Sequence, residues 1–91
     1  MSEILLDITP FDEKISLHSY LKEMLGFPFY YGANLDALYD SLASIGKPTQ
    51  ITLVYTDRPI TGHKNYIPRM VDVFQTAAQD NYNIQLTVKE A

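Results

Sequence analysis

Cysteine is absent from the chain, and with it go disulfide staples, thiolate zinc sites and a thiol nucleophile. No apolar run approaches the roughly 18 residues that a membrane-spanning helix needs. The opening MSEILLDI has no basic segment ahead of its apolar stretch, as a secretory leader would. A cytoplasmic protein with no membrane attachment is the expectation. Basic residues are few as well: seven Lys and Arg stand against eleven Asp and Glu, a net charge of −4. Binding to a phosphate backbone asks for a basic surface, so nucleic acid is not expected as a direct ligand. No Gly-rich phosphate loop follows an apolar strand pattern, and no cofactor is expected. What is present is ordinary in amount. A chain of 91 residues, 46% hydrophobic and 20% charged, suits a single folded domain over residues 1–91 and excludes disorder as the main reading.

Three short runs rich in leucine and β-branched residues read as strands, at residues 3–8, 50–55 and 84–88. The middle run is apolar on both faces, which suits the centre of a parallel sheet. The last alternates Ile84, Leu86 and Val88 with Gln85 and Thr87, the pattern of an edge strand with one wetter face. Elsewhere apolar residues recur at helical spacing. In residues 16–25 the stripe is Leu17, Tyr20, Leu21, Met24 and Leu25, with Ser16 as cap, Gly26 as stop and Ile15 stapled to Tyr20. A second helix is expected over 35–45, between Asn34 as its cap and Gly46 at its end. The third, over 66–80, offers Ile67, Met70, Val71, Val73, Phe74, Ala77 and Ala78 to the core. It carries Pro68 in its first turn, where a missing N–H costs little. Residues 56–64, TDRPITGHK, read as an exposed turn region. The order β-α-α-β-α-β gives an α/β fold: a three-stranded parallel sheet, order 1-2-3, covered by helices through right-handed crossovers.

Lysine and arginine are missing from all 23 residues of 24–46, a stretch that holds Asp36 and Asp40. At about 100° per residue, Leu35, Leu38, Leu42 and Ile45 share one side of the second helix. The two aspartates lie together on another side, with Tyr39 at the border. On most helices such a face is plain solvation. Asp36 falls in the first turn, where the positive helix end stabilises a carboxylate by about 0.3–1 kcal/mol. Asp40 has no such support. It is a poor helix former in mid-helix, one turn from a like charge, and a local rule broken without local compensation points to function. Ahead of the helix, Phe27-Pro28-Phe29-Tyr30-Tyr31-Gly32 sets four aromatics in six residues. Phe27 and one tyrosine are expected in the core. Another ring, pinned by Pro28 and Gly32, would stand outward beside the aspartates, the aromatic and charged mixture of a binding hot spot.

Carboxylates at i and i+4 also meet the spacing of an acid/base pair or of ligands for a hard cation. Neither aspartate is obviously placed in a cleft, and no histidine or further acid lies near them in sequence. A metal would need more oxygen ligands, so neither catalysis nor a metal site is expected. His18, His63 and Lys64 supply the parts of a ribonuclease site. With His18 beside the polar face of the first helix and His63 in a turn, both read instead as surface histidines.

The stretch 27–42, FPFYYGANLDALYDSL, resembles the corresponding segment of the barstar family of intracellular ribonuclease inhibitors. It matches the family pattern Tyr-Tyr-Gly-x-Asn-Leu-Asp-Ala-Leu-aromatic-Asp. The resemblance implies a parallel sheet covered on one side by helices, and an inhibitor with no activity of its own. It also implies that Tyr30, Tyr31, Asn34, Asp36, Tyr39 and Asp40 form the surface that blocks a nuclease. Asp40 would enter the phosphate-binding site and pair with the arginines and histidine there, since a fixed carboxylate can imitate a phosphate oxygen. Tyr39 stands where the family carries tryptophan. Thr76, on the third helix, stands where the family offers a glutamate, and Asp72 and Asp80, each one turn away, are candidates to replace that charge. The expected partner is an extracellular-type or toxin ribonuclease, barnase-like with a basic active site, and the free inhibitor is expected to be a monomer. The alternative is an acidic interaction module for a basic partner that is not a nuclease.

Overall fold

The computed structural model of the protein describes residues 2–60 and 62–91; Met1 and Thr61, the second of them inside the turn region expected over 56–64, lie outside the described residues. Strands β1 (Ser2–Asp7), β2 (Thr49–Tyr55) and β3 (Ile84–Glu90) pair in parallel in the order β1-β2-β3. Register aligns Ile4 with Ile51 and Leu86, and Leu6 with Leu53 and Val88, on one face. Helices α1 (Lys14–Leu25), α2 (Leu35–Ala43) and α3 (Tyr66–Asp80) supply most of the rest of the core, with Ile8 and Ile60 added from connecting segments. Leu6, Ile51 and Leu53 are buried together with Leu17, Leu21, Leu38, Leu42, Met70 and Phe74. The opposite face, which includes Leu5, Gln50, Thr52 and Thr87, is more open. Leu5 is 59% exposed, and Gln50, Thr52 and Val54 are half-buried. The middle strand is therefore not buried on both faces as its apolar pattern suggested: its neighbours shield it, and the buried core lies on one face alone.

All three helices run the same way, antiparallel to the strands. Lys14 at the start of α1 sets its ammonium 4.9 Å from the Tyr66 ring centroid at the start of α3, and the start of α2 borders the same opening. At the other end, Leu25 and Gly26 after α1 share a surface with Ile45 and Gly46 after α2. The connection between α1 and α2 must therefore climb back alongside α2, and this climb brings the aromatic segment beside the aspartates.

Helix α3 has the expected bounds. The other two depart from expectation for identifiable reasons. α1 begins three residues earlier than a Ser16 cap would set it, with Glu13 at the N-cap and no side-chain cap. The Leu17 N–H bonds the Glu13 carbonyl at 3.1 Å. Ile15 is thus a helical residue, 77% exposed, and staples nothing. Tyr20 instead packs on Phe11 at 4.9 Å and accepts a bond from the Asp7 N–H. The buried stripe is also rotated from the expected one. His18 is fully buried and Met24 is 43% exposed, so the expectation of a surface histidine at position 18 is overturned. α2 stops at Ala43 instead of Ile45 because Asn81, after α3, donates from Nδ2 to the carbonyls of Leu42 (3.0 Å), Ala43 (3.3 Å) and Ile45 (3.0 Å). The turn region after β2 is not uniformly exposed either. Ile60 is 2% exposed and bridges to His63, while Arg58 donates to the carbonyls of Thr9 and Phe11.

Candidate partner-binding site

The segment between α1 and α2 is tied down at several points. Gly26 leaves α1 in the left-handed region, φ 70°, and the Phe27 N–H returns to the Lys22 carbonyl at 3.0 Å. A turn closes from the Tyr31 N–H to the Pro28 carbonyl at 3.0 Å, and the Lys22 ammonium donates to the Phe29 carbonyl at 3.3 Å. Gly32 lies against α2, where an added Cβ would come within 3.2 Å of the Ala37 Cβ. Ala33 follows at φ 53°, a conformation that costs a non-glycine residue about 1 kcal/mol or more. Asn34 then starts the helix as expected. Its Oδ1 accepts from the Ala37 N–H at 2.8 Å and its Nδ2 donates to the Gly32 carbonyl at 3.2 Å. Its amide is thus occupied within the chain.

Beneath this segment lies a buried polar knot. His18 Nδ1 bonds the Tyr31 hydroxyl at 2.7 Å and Nε2 bonds the Tyr66 hydroxyl at 2.6 Å. A neutral imidazole has one donor and one acceptor, so one tyrosine donates to the ring and the other accepts from it. Burial, reinforced by the nearby Lys14 charge, pushes the His18 pKa down to about 4. Burial likewise raises Tyr31 and Tyr66 above the ordinary tyrosine range. Tyr31 is accordingly half-buried, with its ring 4.9 Å from Phe27. These two rings are the aromatic segment's contribution to the core, as expected.

Above the knot the outward side chains gather. Tyr30 is 76% exposed, and Asp36 and Asp40 are exposed on α2. Asp40 and Tyr30 border an open groove of about 440 Å³ with Leu25, Phe27 and Ile45. Asp40 thus does lie at a cleft, which the sequence pattern did not indicate. Asp36 borders a second opening, toward α3, together with Lys14, His63 and Arg69. Tyr39 is half-buried, and its hydroxyl donates to Asp80 Oδ2. That bond holds the Tyr39 pKa above its usual range. On α3, Thr76 and Asp72 are both exposed, while Asp80 is engaged by Tyr39.

Two residues of this region had escaped sequence reading. Phe29 is 87% exposed, with its ring edge-on to Tyr30 at 5.5 Å; as a loop residue it belongs to no periodic stripe. His18 could have been found at helical spacing from Lys14, Leu21 and Leu25, the face that α1 actually turns inward. Among the described residues no group of three or more His, Asp or Glu side chains is placed to hold a metal ion.

Fold and site together define a small α/β protein that presents carboxylates and tyrosines on a hydrogen-bonded loop-and-helix face. The chain belongs to the barstar family: the family model described as Barstar (barnase inhibitor) matches residues 1–90. It is also 35% identical over 81 residues, 88% of this chain and 89% of the relative, to a Bacillus subtilis (strain 168) protein named "Putative ribonuclease inhibitor YrdF".

Proposed function

We propose that the protein inhibits a ribonuclease by seating Asp40 in the enzyme's active site, where the carboxylate takes the place of an RNA phosphate. The observation that carries this reading is the placement of Asp40. It is exposed in mid-helix at the lip of a groove beside Tyr30, inside a stretch of 23 residues without a lysine or arginine. A carboxylate so placed can make charge-assisted, bidentate bonds to the arginines that hold RNA. The binding face runs from Asp40 to Tyr30 across the groove and along α2 to Tyr39, Asp36 and Asn34, with Tyr31 supporting the loop from below and Thr76 facing the partner from α3. With Asp80 engaged by Tyr39, Asp72 supplies the negative charge of α3. The partner is an extracellular-type or toxin ribonuclease with a basic active site, and the inhibitor acts on it in the cytoplasm as a monomeric, single-domain protein with no catalytic step of its own. Membership of a family described as barnase inhibitors, and the name of the Bacillus subtilis relative, support the same reading.

RNA cleavage by barnase and other small basic secreted ribonucleases, titrated with the protein, tests it. The expected result is a block of one of them near one equivalent, relieved in rate when a nucleoside 3′-phosphate already fills the enzyme's phosphate site. Cleavage that persists at large excess, or a block indifferent to the nucleotide, overturns the proposal. Tight binding to a basic protein that does not cut RNA would identify a general acidic docking module instead.

A further inference from the structure

We infer that Phe29 is a docking residue whose ring fits an apolar shelf on the partner, next to the partner's cationic groove. The inference rests on the ribonuclease-inhibitor reading and adds to it the chemistry of a second patch. Of the four phenylalanines in the sequence, Phe74 is buried and Phe11 and Phe27 are half-buried; Phe29 is 87% exposed. Its exposure occurs on a backbone held at both sides, by the Pro28–Tyr31 turn and by the Lys22 ammonium on its own carbonyl. Tyr31, two residues on, is anchored to buried His18. A ring carried on a backbone already held, with only two side-chain torsions left to order, loses little freedom on binding, which makes it an effective anchor. Other exposed apolar side chains, Ile15 at 77% and Tyr82 at 93%, lie outside the aromatic segment, and scattered exposure of that kind is normal on a soluble protein. Phe29 differs because it is paired edge-on with Tyr30 at 86° between ring planes, and Tyr30 in turn shares a groove with Asp40.

Charge decides what the ring meets. On the Asp40 side of Tyr30 the surface calls for a cation. On the Phe29 side, the Lys22 ammonium sits on the loop backbone and opposes a second cation stacking on the ring. An aliphatic or aromatic side chain is what remains, so the partner's surface changes from cationic to apolar across Tyr30.

The test uses barnase and the same ribonuclease panel, carrying forward the enzyme that the unaltered protein blocks. Phe29→Ala should raise the inhibition constant about tenfold or more, mainly through faster dissociation. The salt dependence of association and the thermal midpoint should stay as they were, and Phe29→Trp should inhibit like the unaltered protein. If Phe29→Ala inhibits normally while Asp40→Ala does not, the docking role is overturned and the inhibitor reading stands. A Phe29→Ala defect that lies in slower, salt-sensitive association would also overturn it, because the contact would then be electrostatic. If no ribonuclease is blocked even by the unaltered protein, the inference falls together with the reading beneath it.

Discussion

At Asp40 the demands of binding and of folding oppose each other. Its carboxylate is exposed one turn from Asp36, in a position where aspartate favours the helix less than alanine does. Asp40→Ala should therefore leave the free protein about 0.5–1 kcal/mol more stable, read from denaturant unfolding. It should also abolish tight inhibition, at a cost of about 4–8 kcal/mol, the upper figure being barstar's own and not one obtained from this chain. A loss of stability above about 1 kcal/mol would make Asp40 structural and remove the basis of the proposal. Asp36→Ala is the control: it forfeits helix-end stabilisation and should weaken inhibition less. His18 sets a different expectation, one of pH. Its folded pKa near 4 lies below the ordinary 6.5, so between those values the unfolded chain binds the proton more readily. The contribution of the knot is intact above about pH 6.5, falls as pH drops toward 4 and levels off below. The loss should amount to about 2 kcal/mol after allowance for solvent screening. Urea midpoints across that window should flatten in His18→Gln, and a midpoint of the unaltered protein that ignores pH there would contradict the burial of a neutral imidazole. Asp7, held below its usual range by the Thr9 hydroxyl and N–H, acts at lower pH and does not blur the window.

Each helix shows how far sequence pattern reaches. The bounds of α3 were legible because its apolar spacing and the placement of Pro68 agree, although Val73 and Ala78 of the expected stripe are only half-buried and Tyr66 is buried besides. The start of α2 was legible for an equally local reason, the reach of Asn34 to the Ala37 N–H. Its end was not, because the stop is made by Asn81, 39 residues beyond Leu42, and no local pattern announces such a partner. The rotation of α1 has the same origin: a histidine is tolerated inside only because tyrosines from two other segments satisfy it. Within the candidate site, Asp36 and Asp40 were readable from charge and pattern, whereas Tyr30 was named only through the family resemblance. The groove beside Asp40, the Tyr39–Asp80 bond and the exposure of Phe29 arise only when separate segments meet. Asn81→Ala tests the remote cap. It strips hydrogen bonds from three carbonyls, and should cost about 1–3 kcal/mol with faster amide exchange at Ser44 and Ile45, whose N–H groups bond the Asp40 and Leu42 carbonyls. Unchanged exchange there would mean that α2 ends without help from α3.

Over the whole molecule, a net charge of −4 and two exposed aspartates on one helix face favour fast approach to a cationic site. Association with the inhibited ribonuclease should rise from about 10⁵–10⁶ toward 10⁸ M⁻¹s⁻¹ at low salt. Stopped-flow rates that stay flat with ionic strength would contradict this. Steering should weaken more on loss of Asp40 than of Asp36, since Lys14 and Arg69 border the Asp36 opening. The shared direction of the helices has a consequence of its own. Because α1 and α2 end at the same side, the chain from 26 to 34 must travel back up a nine-residue helix, a distance of about 13 Å. Nine residues drawn out straight would reach roughly 30 Å. More than half of that contour length is slack, and part of it stands off α2 as the bulge that carries Phe29 and Tyr30. Removing those two residues would leave enough chain to bridge the helices, yet would draw the segment flat. The scaffold and the proposed recognition surface should therefore tolerate loop length differently, and, on that reading, insertions or deletions at this one place offer a route to a new target that leaves the sheet and helices unaltered.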